Sequence, residues 1–160
     1  MSGHRPDKKR FDVSGKNFAL VVARWNSQVM ERLLNGALGA LADQSVSQSA
    51  ISVFRVPGAF ELSLAAQQAA RSGRFDAIIA LGCVIRGETP HFDYISGETT
   101  RSLGQVALQE AMPVAFGVLT VDNLEQALKR SENSMTNKGA EAALTALEIL
   151  ETLHQIKKKH

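Results

Sequence analysis

Unbroken apolar runs alternate along this chain with segments whose apolar positions recur at helical spacing. Phe18-Ala19-Leu20-Val21-Val22-Ala23 is continuous, as in a strand buried on both faces of a parallel sheet. Arg24-Trp25-Asn26-Ser27 interrupts it, and Asn26 or Ser27 can cap the helix that follows. That helix carries Met30, Leu33, Leu34, Ala37, Leu38 and Leu41 on one stripe, with Glu31, Arg32, Asn35 and Asp43 off it. Gly36 and Gly39 inside it cost about 1 kcal/mol each relative to alanine, which predicts a close approach to the sheet as compensation. Ser45 to Ser49 reads as a polar loop, Ala50 to Val56 as a second strand ended by Pro57-Gly58, and Phe60 to Arg71 as a helix closed by Gly73. Asp76 to Leu81 is the third strand. Thr89 as N-cap and Pro90 at the first helical position then open a helix over Phe92 to Glu110, which Pro113 stops. Val114 to Thr120 is a fourth strand, Leu124 to Arg130 a short helix, and Ser131 to Asn137 irregular. A final helix runs from Gly139 to about Lys157, with Ala140, Ala143, Leu144, Leu147 and Leu150 on one face and a lysine-rich end that suits the helix dipole.

Repeated strand–helix alternation implies right-handed crossovers and a parallel sheet covered on both sides. The predicted fold is therefore α/β: a three-layer sandwich of flavodoxin-like type, with a four-stranded parallel sheet flanked by helices on both faces. Such sheets bind ligands where their strands end. The stretch from Leu81 to Tyr94 stands out there, holding Gly82, Arg86, Gly87, Glu88, Thr89-Pro90 and His91 between a strand and a helix start. Backbone N–H groups of a helix's first turn attract anions, so the stretch offers a phosphate cradle with a titratable side chain beside it.

Composition narrows the class. A chain of 160 residues accommodates one domain with a proper core and not two comfortable ones. Met1 to Arg10, polar and basic, is expected to be a mobile tail, and residues 11–160 a single domain. The net charge is only +2, and several basic residues gather at the two ends without a basic stripe, so no nucleic-acid partner is expected. A single cysteine, Cys83, rules out an internal disulfide framework and fits a reducing compartment. No apolar leader region follows the basic N-terminus and no apolar run has membrane-spanning length, so the expectation is a cytoplasmic protein with no membrane partner. There is no G-x-G-x-x-G after the first strand and no G-x-x-x-x-G-K-[ST], H-E-x-x-H, C-x-x-C or G-x-S-x-G. Dinucleotide, nucleoside triphosphate, zinc-hydrolase and serine-esterase chemistries therefore lack their motifs.

The residues just past each strand form a consistent set: Trp25 and Asn26, then Pro57 to Glu61, then Cys83 to His91, with Phe116 in the fourth strand and Arg130 one helix later. Together they suit a flat polar heteroaromatic ligand and a phosphorylated one. Each has a structural alternative. Trp25 is either a stacking platform or a packing residue. Glu61 either binds ligand or simply favours a helix dipole, worth about 0.3–1 kcal/mol. Cys83 is either a buried small hydrophobe or a nucleophile. His91 gains weight from its neighbours, since an imidazole titrating near about 6.5 suits proton transfer at neutral pH.

Trp25-Asn26, Val56-Pro57-Gly58-Ala59-Phe60-Glu61, Gly82 to Phe92, Ala115 to Thr120 and Asn137-Lys138-Gly139 together resemble the 6,7-dimethyl-8-ribityllumazine synthase family, from about Phe18 to the last helix. The resemblance implies a transferase of the penultimate step of riboflavin biosynthesis. Its two small-molecule substrates are 5-amino-6-(D-ribitylamino)uracil and 3,4-dihydroxy-2-butanone 4-phosphate, and phosphate and water are released. No metal or organic cofactor is implied. It also implies roles. Trp25 stacks on the pyrimidine, where the family more often has phenylalanine, and Asn26 lies beside it. Ala59, Phe60 and Glu61 hold the ribityl side, and Cys83, Val84 and Ile85 contact the uracil largely through backbone. Gly87, Glu88 and Thr89 meet the phosphate, and His91 moves protons. Phe116 and Arg130 come from the adjacent subunit of a homopentamer, with Lys138 assisting at the phosphate. In many members twelve pentamers close into a 60-subunit icosahedral shell; here Ser134-Met135-Thr136 departs from the usual T-K-A-G run before Asn137, which leaves the shell open. Two other readings use the same residues: a module that holds a flavin or lumazine without turnover, and a shell protein whose catalysis is vestigial.

Overall fold

Four strands, β1 (Phe18–Ala23), β2 (Ile51–Val56), β3 (Ala77–Ile85) and β4 (Val114–Val121), form one all-parallel sheet in the order β2-β1-β3-β4. The structure, a computed structural model, describes residues 10–158. Five helices connect and cover the strands: α1 (Ser27–Asp43), α2 (Leu62–Arg71), α3 (His91–Glu110), α4 (Leu124–Arg130) and α5 (Lys138–Lys158). α1, α4 and α5 cover one face, packing on Phe18, Leu20, Val22, Ile79 and Leu81. α2 and α3 cover the other, packing on Ala19, Val21, Ile78 and Ala80. Alternate residues of β1 and β3 thus feed two separate cores, which is why those strands read as unbroken apolar runs. This is the flavodoxin-like three-layer sandwich expected. The predicted tail, Met1 to Arg10, lies outside the described residues except for Arg10, whose Nη1 donates to the Asp43 carbonyl at 2.9 Å.

The outer strands are less buried than the apolar-run reading implies for a central strand. β2 exposes Val53, Phe54 and Arg55, and Arg55 pairs with Glu31 at 2.8 Å. β3 corrects the sequence reading, which ended it at Leu81. It continues to Ile85, because β4 pairs with it residue by residue as far as Val121. The apparent start of a loop at Gly82-Cys83 is therefore strand. Gly82 allows tight packing there, since a Cβ would sit 3.0 Å from Leu62 Cδ1.

The glycines of α1 are a second correction. Gly36 does not approach the sheet; a Cβ there would overlap the side chain of Asn137. Asn137 is buried and accepts the Gly139 and Ala140 N–H groups, at 2.9 and 3.1 Å, as the N-cap of α5. Its Nδ2 donates to the carbonyls of Arg32, Ser131 and Glu132 at 3.0–3.2 Å. Gly139 completes the crossing, because its Cβ would fall on the Leu33 carbonyl of α1. Gly39 meets nothing within 4 Å, so no packing in the chain offsets its cost.

Gly139→Ala is expected to lower stability by roughly 3 kcal/mol, because backbone rather than a movable side chain blocks the new methyl. Gly39→Ala is expected to leave stability unchanged or raise it by up to about 1 kcal/mol. Urea midpoints at one protein concentration measure both; equal midpoints for the two variants would contradict the α1–α5 crossing.

Candidate active site

Local backbone bonds build the site's first wall where β1 and β2 end. The Arg24 N–H donates to Val56 O at 2.8 Å, and the Trp25 N–H donates to Pro57 O at 3.2 Å. Trp25 then leaves the core of this chain at 68% exposure. Its ring edge rests on Gly58, where a Cβ would lie 2.9 Å from Cε3. Asn26 adopts the left-handed conformation (φ 61°, ψ 49°), which asparagine tolerates better than most residues. It occupies the N-cap position of α1 but does not cap it with its side chain. Its Nδ2 instead donates 3.1 Å across to the Cys83 carbonyl of β3.

β3 supplies the floor. Its pairing with β1 stops at Leu81, whereas its pairing with β4 runs to Ile85. The Arg86 N–H donates to Val121 O at 2.8 Å, so Arg86 faces β4. Strand alternation turns the Ile85 N–H and C=O the opposite way, toward the edge beyond the reach of β1. Such in-plane donors and acceptors suit the amide edge of a planar heterocycle. The Cys83 side chain is buried at 6% exposure, and burial pushes its thiol up to about 11. It is thus a small buried hydrophobe; a thiolate nucleophile is not available near neutral pH.

Glu61 forms the third wall. The short 3-10 turn Ala59–Glu61 brings its Oε2 back to accept the Gly58 N–H at 2.9 Å. This fixes the carboxylate and leaves its second oxygen to accept hydroxyl hydrogen bonds. A cavity of about 400 Å³ results, lined by Trp25, Asn26, Ala59, Phe60, Glu61, Cys83, Val84, Ile85, His91 and Ile95. Ile95 is the one lining residue the sequence reading omits. Its spacing of four from His91 in α3 was the available signal, since such pairs share a helix face.

The loop from Arg86 to Pro90 borders this cavity. Gly87, Glu88, Thr89 and His91 are exposed, and Thr89 Oγ1 accepts the His91 N–H at 3.4 Å. Pro90, already helical at φ −63°, stands at the N-cap position, one place from the sequence reading. Arg86 spans the loop's root. Its Nε donates to Asp122 Oδ1 at 3.2 Å and its Nη1 to Asp93 Oδ1 at 3.3 Å, and its guanidinium carbon lies 4.2 Å from the Phe92 ring centroid. These carboxylates, Asp122 foremost, hold the guanidinium protonated more firmly than usual.

Phe116, Arg130 and Lys138 do not join this cavity. They line a second one of about 290 Å³ on the β4 side, together with Thr120, Glu141 and Thr145. Phe116 is 45% exposed on the sheet's outer strand. The Arg130 Nη1 donates to Gln126 O of its own helix at 3.1 Å, and Lys138 pairs with Glu141 at 2.7 Å. Among the described residues no group of three or more His, Cys, Asp or Glu side chains is placed to hold a metal ion, and no helix is long and apolar enough to cross a membrane.

The sheet, with a cavity at the C-terminal ends of its strands and an exposed loop beside it, defines a flavodoxin-like α/β protein. Residues 15–154 match the family model described as 6,7-dimethyl-8-ribityllumazine synthase, and the chain belongs to that family. Membership implies a transferase of riboflavin biosynthesis that binds substrate and assembles as an oligomer.

Alkylation by iodoacetamide should be slow in the native protein at pH 8 and should rise through about pH 11, the value to which burial pushes Cys83. In urea the same thiol should titrate near its ordinary 9.0. The shift also has a sign for stability. The unfolded chain loses this proton first, so the Cys83 contribution falls as pH rises from 9.0 to about 11. Rapid native labelling at pH 8 would contradict the buried-thiol assignment.

Proposed function

We propose that the protein condenses 5-amino-6-(D-ribitylamino)uracil with 3,4-dihydroxy-2-butanone 4-phosphate to give 6,7-dimethyl-8-ribityllumazine, phosphate and water. The amine attacks the ketone to form an imine with loss of water, phosphate leaves, and the ring closes with loss of a second water. The observation that carries this reading is the single cavity shared by Trp25, Glu61, the β3 overhang and His91. An aromatic platform, a backbone amide edge and a fixed carboxylate match a pyrimidinedione bearing a polyol.

Trp25 stacks on the pyrimidine ring with Asn26 beneath it. Val84, Ile85 and Cys83 meet the uracil through backbone, and Ala59, Phe60 and Glu61 hold the ribityl chain. Gly87, Glu88 and Thr89 present the loop backbone to phosphate, and His91 relays protons during imine formation and elimination. Two bound reactants held in contact supply much of the acceleration by themselves. Phe116 and Arg130 act on a neighbouring chain's site in a pentamer, where Arg130 grips phosphate as a planar fork. Lys138 assists after loosening its pair with Glu141. Two facts support that division: these residues line a separate cavity, and β4 is an outer strand.

The purified protein is expected to form lumazine from both substrates, followed by absorbance; a rate no higher than the spontaneous condensation would sink the proposal. His91→Ala should slow turnover by about 10²-fold or less without abolishing it. Arg130→Ala should raise KM mainly for the phosphorylated substrate. Random mixing of the two variants in one oligomer should rebuild about one quarter of the sites, because each site takes His91 and Arg130 from different chains. No recovery from mixed oligomers would place both residues in one chain's site.

A further inference from the structure

Arg86 stands beside the proposed phosphate loop, and charge alone would make it a phosphate ligand. The geometry says otherwise. Its Nε and Nη1 are taken by Asp122 and Asp93, at 3.2 and 3.3 Å, and its guanidinium lies over the Phe92 ring at 4.2 Å. One cation faces two carboxylates, so an arriving anion meets no free positive charge there. Arg130 differs, since its Nη1 donates to a neutral carbonyl of its own helix.

The partners of Arg86 sit on α3 and on the capped turn between β4 and α4. Asp93 belongs to the first turn of α3, two residues after His91. Asp122 immediately precedes a reciprocal cap: its N–H donates to Gln126 Oε1 at 2.9 Å, while the Gln126 N–H donates to Asn123 Oδ1 at 2.9 Å. The Arg86 N–H is held by Val121 O at 2.8 Å. Between these anchors, Gly87 to Thr89 are exposed, and among the described residues the long Thr89–His91 bond is their one cross-link. The Arg86–Asp93 pair therefore closes the loop, and the Arg86–Asp122 pair fixes the closed loop to the turn between β4 and α4.

We propose that Arg86 is a positioning residue, clamping the Gly87–Thr89 loop and His91 against the ends of β3 and β4. The inference rests on the site assignment given under Proposed function. The pairs are exposed, and such pairs contribute little to global stability. Their effect falls on placement, where an error of about 1 Å can cost about 10²-fold in rate.

The test uses the full-length protein and its R86M, R86K, D122N and R86M/D122N variants. In R86M, hydrogen exchange over Gly87–Ile95 should quicken about 10-fold, while that of Ala77–Leu81 stays as in the wild type. Turnover should fall about 10-fold with KM for the ribitylaminouracil unchanged. R86K, which keeps the charge but loses the fork and the stacking, should recover only part of the loss. D122N should show a smaller version of the effect, and the double variant should be no worse than R86M, because R86M already removes the pair that D122N breaks. Wild-type exchange in R86M would overturn the proposal. So would a defect confined to KM for the phosphorylated substrate, which would make Arg86 a ligand. If the wild-type protein performs no condensation, the functional proposal falls, and the exchange comparison alone still decides whether the clamp exists.

Discussion

Unequal pairing of β3 is the constraint on which the site depends. Its ladder with β4 continues for four residues after its ladder with β1 has ended at Leu81. A strand held on one side and open on the other is a ledge with backbone groups on display. Asn26 takes one of them, the Cys83 carbonyl, and so ties the end of β1 to the ledge at its inner end. What lies beyond, at Ile85, borders the cavity. The walls follow from the same offset. β1 and β2 stop short, their ends are stitched through Val56 and Pro57, and Trp25 and Glu61 stand in the space that β3 leaves beside it.

The helical layers keep that offset rigid. α1 and α5 cross so closely that the Asn137 side chain fills the room a side chain at Gly36 would take, and the Leu33 carbonyl fills the room a side chain at Gly139 would take. The buried amide of Asn137 lies within hydrogen-bond distance of five backbone groups, at 2.9–3.2 Å, one of its N–H donors being shared. A buried polar network of this kind is costly if broken and specifies one arrangement if complete. The loop at Arg86 is held in the opposite way, by exposed and individually weak ion pairs. Strong packing thus sets the sheet, while adjustable contacts set the loop that borders it.

Much of this was legible in the sequence. Burial on two faces writes β1 and the first half of β3 as apolar runs, and the residues at or just past the strand ends, Trp25, Glu61, Cys83 and His91, are among those that line the cavity. The misses have physical causes. Gly82-Cys83 resembled a turn because single-strand patterns carry no information on which neighbour continues the ladder. Gly36 was assigned to the sheet because a glycine reports close approach but not the partner, and here the partner lies about 100 residues away (Asn137 reaches the Arg32 carbonyl over 105 positions). Asn26 looked like a helix cap because its backbone conformation, which redirects the side chain, is invisible in composition. The separation of Phe116 and Arg130 from His91 was readable only through the family resemblance, since strand order alone would have placed them along one edge.

The thiol at the cavity floor bears on chemical selectivity. The proposed reaction brings a ketone into the cavity, and a ketone accepts any strong nucleophile within reach. Cys83 is the chain's sole thiol and lines that cavity. Ionised, it would compete with the substrate amine and divert the ketone into a sulfur adduct. Burial holds it as the neutral thiol up to about pH 11, so the amine meets no internal rival.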